Sequence, residues 1–193
     1  MKLDKEYWNQ KYKDEEHGWD IGYISTPIKE YIDQLKDKEL KILIPGCGNA
    51  YEAEYLIDKG FKNVYLIDWS ETALNNFKKR IHHIPDENLF CEDFFSHKIQ
   101  YDIIIEQTFF CSLHPSQRAE YAKIMHELLK PNGKLVGLLF DDKLNDDHPP
   151  FGGNKEEYVK YFQPYYFFKT CETSYNSIKT RAGREIFINF IKK

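Results

Sequence analysis

The sequence predicts an α/β fold: a doubly wound, mostly parallel sheet of seven strands with an antiparallel C-terminal strand and an N-terminal helical cap. Three observations lead there. From about residue 40 onward, short apolar runs alternate with segments of helical spacing. One run, Tyr101 to Ile105, is close to continuously apolar, as parallel strands buried on both faces are. The connections between these segments are short, which suits repeated βα units.

In chain order, Lys41 to Pro45 is a first strand that ends in Pro-Gly. Ala50 to Lys59 follows with Tyr51, Tyr55 and Leu56 at helical spacing, and Gly60 stops it. Val64 to Ile67 is the second strand. Ser70 is placed to cap a helix running to about His82, with Ala73, Leu74 and Phe77 on one face. Leu89 to Cys91 is a third strand and Tyr101 to Ile105 a fourth. Pro115 starts a helix through Leu129 that Pro131-Asn132-Gly133 closes, and Lys134 to Phe140 is the fifth strand. Outside this rhythm, residues 3–36 look helical, and Asp141 to Asn154 is a polar loop with two Pro and two Gly. A helix over Lys155 to Phe162 follows. Tyr165 to Glu172 and Glu185 to Ile191 then close the fold as a hairpin-like pair. No repeat, linker or low-complexity tract divides residues 1–193, so one domain is expected.

At 193 residues the chain can bury a sizeable core, and 41% hydrophobic against 30% charged residues fits a globular protein. A net charge of -4 argues against a nucleic-acid partner held by overall electrostatics. The charged N-terminus carries no apolar signal region, and no window is long enough for a membrane span. Cys47, Cys91, Cys111 and Cys171 form no C-x-x-C pair and no zinc spacing with histidine. Free thiols, no metal site and a cytoplasmic location are therefore expected.

The chemistry is concentrated after the first strand. Gly46 and Gly48 let the backbone turn tightly and approach a ligand, at the place where such folds bind nucleotides. About 20 residues on, Asp68 ends the second strand, where a carboxylate can accept from both ribose hydroxyls. Asp93 follows the third strand, placed to accept from an adenine amino group with Phe94 beside the ring. Read singly, Asp68 is equally a helix-capping residue and Asp93 a solvated turn; three successive strand ends weigh against that. A dinucleotide fingerprint would put a third glycine where Tyr51 stands, and a phosphate loop would need Gly-Lys-Ser/Thr, which is absent. An adenosyl ligand without a pyrophosphate suits this turn better.

From Trp8 to about Ile191 the chain resembles the thiopurine S-methyltransferase family, with its plant halide/thiol branch and bacterial relatives. The resemblance rests on Trp8 to Gly22, Leu43 to Gly48, Phe109 to Leu113, Pro115 to Arg118, Pro131 to Lys134, Pro149 to Phe151 and Arg181 to Glu185. It implies a Rossmann-like class I methyltransferase that uses S-adenosyl-L-methionine and releases S-adenosyl-L-homocysteine. Its aromatic residues over the cofactor match Trp8, Tyr12 and Trp19, whose ring faces suit a sulfonium cation. Residues 1–36 are then a cofactor-covering segment. Glu106 to Phe109 matches the segment at the methyl-donor end, which adds Glu106 to the cofactor residues; Gln107 and Thr108 depart from several relatives. Arg118 matches an arginine that reaches the active site in the thiopurine branch. Phe151 stands where the halide/thiol branch has an acceptor-pocket tyrosine.

Methyl transfer from a sulfonium needs alignment and exclusion of water more than covalent help. A cation such as Arg118 would favour a thiolate acceptor. No general base stands out; His114 and His148 merely flank loops at the strand tips. Residues 141–154 are expected to form the acceptor-site loop. The expected acceptor is a small soft nucleophile, a thiol or thiopurine, met by a monomer without nucleic-acid or membrane partners. Other acceptors (halide, selenium or tellurium species, oxygen or nitrogen nucleophiles) and a non-catalytic adenosyl-binding domain are the alternatives. No Asn/Asp-Pro-Pro-aromatic motif follows the fourth strand, and 193 residues are too few for an added target-recognition domain, so DNA-base methylation is not expected.

Overall fold

Strong β-branched and aromatic runs set the sheet. Its strands are β1 (Lys41–Pro45), β2 (Asn63–Ile67), β3 (Leu89–Phe90), β4 (Tyr101–Gln107), β5 (Leu129–Phe140), β6 (Tyr166–Thr173) and β7 (Glu185–Lys192). The structure, a computed structural model, describes residues 2–193. The strands pair in the order β3-β2-β1-β4-β5-β7-β6. Pairings from β3 to β5 are parallel, and β7 runs antiparallel to both β5 and β6. The C-terminal strand is thus inserted between its two neighbours, and the hairpin of β6 and β7 is the expected closing pair.

Side-chain alternation along the strands feeds two cores. Ile42, Ile44, Ile103 and Ile105 pack with helices α2 (Thr26–Asp33), α3 (Tyr51–Asp58) and α4 (Glu71–Arg80). Leu43 and Ile104 point the other way, toward α5 (Arg118–Glu127) and α6 (Lys155–Phe162), where Tyr121, Met125 and Phe162 are buried. A first helix, α1 (Lys5–Lys13), lies outside these layers and packs against α4. No helix among the described residues is long and apolar enough to cross a membrane.

The elements differ from the sequence reading in three places. Residues 3–36 hold two short helices, with residues 14–25 irregular between them. There Asp20 accepts from the Gly22 N–H (2.7 Å) in a turn that Gly22 tolerates at φ 78°, and Pro27 opens α2. Pro115 starts a 3₁₀ turn over Pro115–Gln117 before α5 begins at Arg118. β5 begins at Leu129 rather than Lys134, because Leu129 already pairs with Tyr101 and the register then shifts around Pro131-Asn132-Gly133.

Candidate active site

The strand order reverses between β1 and β4, and the crevice opens beyond their carboxyl ends, where ligands of such sheets bind. A cavity of about 190 Å³ lies there, with a second of about 50 Å³ beside it. Tyr12, Trp19, Gly46 and Thr108 face both.

The turn from β1 into α3 forms the floor. Gly46 and Gly48 have φ of 54° and 52°, a region that disfavours side chains. A Cβ on Gly46 would overlap the Phe109 ring, and one on Gly48 would overlap the Tyr12 hydroxyl. Both glycines are therefore required by close approach as well as by conformation. Asp68 ends β2 and faces the larger cavity. Its Oδ2 accepts from the Gly48 N–H (2.9 Å) and its Oδ1 from the Ser70 N–H (2.7 Å). Burial raises its carboxyl above the ordinary value, against the lowering pull of those N–H groups. Each oxygen keeps a lone pair for a ligand hydroxyl.

The N-terminal segment covers this floor. Trp8 and Tyr12 on α1 meet Trp19 edge to face, with ring centroids 5.8 and 6.0 Å away. Burial, with Asp68 nearby, pushes the Tyr12 phenol well up, so it stays a neutral donor. The cap is tied down by polar contacts. Asn9 accepts from the Ser70 hydroxyl (3.1 Å) and the Thr72 N–H (3.0 Å) at the start of α4. Ser25 donates to Gln107 (2.8 Å), and Arg181 donates to the Trp19 carbonyl (2.7 Å). Cap and glycine turn also meet where Asn49 donates to Asp20.

The loop after β3 forms another wall. Asp93 accepts from the Phe95 N–H (3.0 Å) and faces the cavity, while Phe94 packs edge-on against Phe109 at 5.1 Å. His97 anchors the loop by bonds of 2.7 Å to Glu92 and to the Tyr101 hydroxyl.

Thr108, Phe109, Cys111, Gln117, Pro149 and Pro150 complete the lining of the larger cavity. The Cys111 thiol is pushed up to about 12 by burial, so it is neutral near pH 7.

Of the residues read from the sequence, Trp8, Tyr12, Trp19, Gly46, Asp68, Asp93 and Phe94 line the larger cavity, and Gly48 lines the smaller. Three do not line either. Glu106 is fully buried behind the wall, accepting from the Phe109 and Phe110 N–H groups (2.8 and 2.9 Å) and from Tyr121. β4 carries it to the right height, but its side chain turns back to hold the turn after β4. Arg118 is 1% exposed and engaged by Glu157 and by the Gly152 carbonyl. Phe151 is 2% exposed and packs on His114 at 5.6 Å. His114 and His148 are exposed outside the cavities.

Tyr7, Lys11, Trp69, Glu92, Gln117 and Arg181 face the cavities and escaped the sequence reading. Helical spacing offers a signal for two of them, since Tyr7 and Lys11 share a face of α1 with Trp8. The rest are placed by tertiary packing. The donor set fits an adenosyl sulfonium: carboxylates at two strand ends for hydroxyl and amino groups, aromatic faces toward a cation, and a hydrophobic flank at Phe94.

Comparison with known proteins agrees with this geometry. The sequence model of the thiopurine S-methyltransferase family matches residues 3–187. A probable thiol methyltransferase 2 of Arabidopsis thaliana is 29% identical over 81% of this chain and 71% of that protein. Thiocyanate methyltransferase 1 of Brassica oleracea is 29% identical over 92% of this chain and 81% of its own length. Among solved structures, a TehB-like SAM-dependent methyltransferase from Corynebacterium glutamicum superposes with a TM-score of 0.70 at 16% identity, covering 98% of each chain. The Burkholderia thailandensis 1,6-didemethyltoxoflavin-N1-methyltransferase, with S-adenosylhomocysteine bound, gives 0.74 at 14% identity over 98% of this chain and 87% of its own. Those two likenesses concern the fold. The chain belongs to the thiopurine S-methyltransferase family of S-adenosylmethionine-dependent methyltransferases.

Proposed function

We propose that this enzyme methylates a small soft nucleophile, a thiol or a thiopurine, with S-adenosylmethionine bound across the two cavities. One observation carries the reading: the larger cavity is lined both by Asp68 and Trp8 and by Thr108, Cys111 and Pro149, which gives donor and acceptor a shared crevice. When bound, the cofactor supplies an activated methyl on a sulfonium. Asp68 would hold the ribose hydroxyls, and Asp93 with Phe94 the adenine. Gly46 and Gly48 give backbone access, and Trp8, Tyr12 and Trp19 exclude water from the cation. Holding the partners in line is worth roughly 7–11 kcal/mol in favourable cases.

The acceptor end suits a nucleophile that arrives deprotonated. Cys111 holds its own proton there, so it is no base for the acceptor. The names of the plant relatives, thiol and thiocyanate methyltransferases, support soft acceptors. Residues 1–36 act as the cofactor cover and residues 141–154 as the acceptor-site loop of one domain. Four free cysteines support the reducing cytoplasm.

The test is a methyl-transfer screen over thiols, thiocyanate, thiopurines, halides, selenium or tellurium species, and oxygen and nitrogen nucleophiles, read as methylated product by mass spectrometry. Turnover is expected with the thiols or thiopurines. Turnover confined to oxygen or nitrogen acceptors would overturn the assignment, and cofactor binding without any product would leave an adenosyl-binding domain.

A further inference from the structure

The loop over residues 141–154 is stitched in place from two sides. On one side the Phe151 N–H donates to the Cys111 carbonyl (2.7 Å), which belongs to the cavity wall. On the other, Arg118 Nη2 donates to the Gly152 carbonyl (2.7 Å) and reaches the Phe151 carbonyl at 3.4 Å. Its Nη1 pairs with Glu157 at 2.9 Å on α6. The guanidinium lies over the Phe110 ring at 4.9 Å and near Tyr158 at 5.7 Å, so its plane is fixed from below. Pro149 and Pro150, immediately before the held peptides, roof the acceptor end.

We propose that Arg118 is a positioning residue: through the carbonyls of Phe151 and Gly152 it holds the Pro149–Pro150 roof at the height that sets which acceptors fit. This rests on the methyltransferase reading but differs from a guanidinium that touches the acceptor. A buried cation that donates to two adjacent carbonyls orients them more firmly than a neutral donor. The fork geometry matters, since an ammonium cannot span Glu157 and two carbonyls in one plane. Residue 118 therefore acts on acceptor size through the loop and leaves the cofactor end untouched.

Two measurements test it on Arg118→Met, which keeps much of the volume and removes every donor. Hydrogen exchange needs no ligand: the amides of Asn145, Phe151 and Gly153 should exchange at least about tenfold faster, with β4 unchanged. In kinetics the acceptor KM should rise at least about tenfold while cofactor affinity stays within about twofold, and bulkier thiols should be accepted. Arg118→Lys should recover only part of the effect. Glu157→Ala, at a partly exposed position, should move both readouts the same way by about threefold and serves if Arg118→Met does not fold. Unchanged loop exchange overturns the latch. A fall in kcat at constant acceptor KM, with normal loop exchange, assigns Arg118 to the reacting atoms instead. If the wild type methylates nothing, the methyltransferase reading fails while the exchange result still decides the latch.

Discussion

Asp68 accepts one N–H from the glycine turn and one from the start of α4, so its carboxylate is already oriented before any ligand arrives. Removing it loses both the ligand bonds and the shape of the turn. Asp68→Ala should weaken S-adenosylmethionine binding at least about tenfold by calorimetry, equal to about 1.4 kcal/mol; an unchanged affinity would take Asp68 out of the site. Glu106 gives a second expectation. Burial lifts its carboxyl from 4.5 to about 7, ahead of the opposing bonds from Tyr121 and the Phe110 and Phe109 N–H groups. The fold thus favours the protonated form. That contribution is fully present below pH 4.5 and is lost as pH rises through about 7. Glu106→Gln cannot ionise, so relative to it the wild type should lose on the order of 3 kcal/mol between those limits, read as a widening gap in Tm. A gap that is flat with pH would show Glu106 titrating alike in the folded and unfolded chain. Asp68 was legible in the sequence because strand-end acids follow from topology. Glu106 was not, since a strand position fixes the height of a side chain and says little about which neighbour it turns to.

At the scale of elements, the turn after β4 carries much of the cavity wall, and its anchor is Phe110. This ring is 1% exposed and meets Tyr121 at 5.0 Å, Tyr158 at 5.2 Å and Phe162 at 5.9 Å. Phe110→Ala should cost about 3–5 kcal/mol in urea unfolding; a loss under about 1 kcal/mol would mean that α5 and α6 do not depend on this contact. The strands, α3, α4 and α6 were legible because apolar runs and period-3.6 spacing survive in a single sequence. The first residues of β5 were not, because Leu129 pairs across a bulge that Pro131-Asn132-Gly133 disguises as a plain turn. The irregular stretch between α1 and α2 was obscured in the same way. Asp20 accepts from Asn49 of the glycine turn and the Trp19 carbonyl accepts from Arg181, rather than the stretch continuing a helix.

Over the whole molecule, the two ends of the chain close the site together. The N-terminal cap sits on the carboxyl ends of β1 and β2, and Arg181, in the connection from β6 to β7, holds the Trp19 carbonyl. The switch in strand order between β1 and β4 opens one crevice lined by Asp68 and Asp93 as well as by Thr108 and Cys111. That arrangement was predictable from the βα rhythm, whereas the roof at Pro149 and Pro150 depends on contacts between distant loops. In the proposed function, donor and acceptor meet in the larger cavity. The most direct test is S-adenosylhomocysteine release in the presence and absence of a small thiol, by wild type and Asp68→Ala side by side. Release by the wild type that requires the thiol, and that falls at subsaturating cofactor in Asp68→Ala, is the predicted result. Release that ignores the thiol, or none from a wild type that binds neither donor nor product, would contradict it.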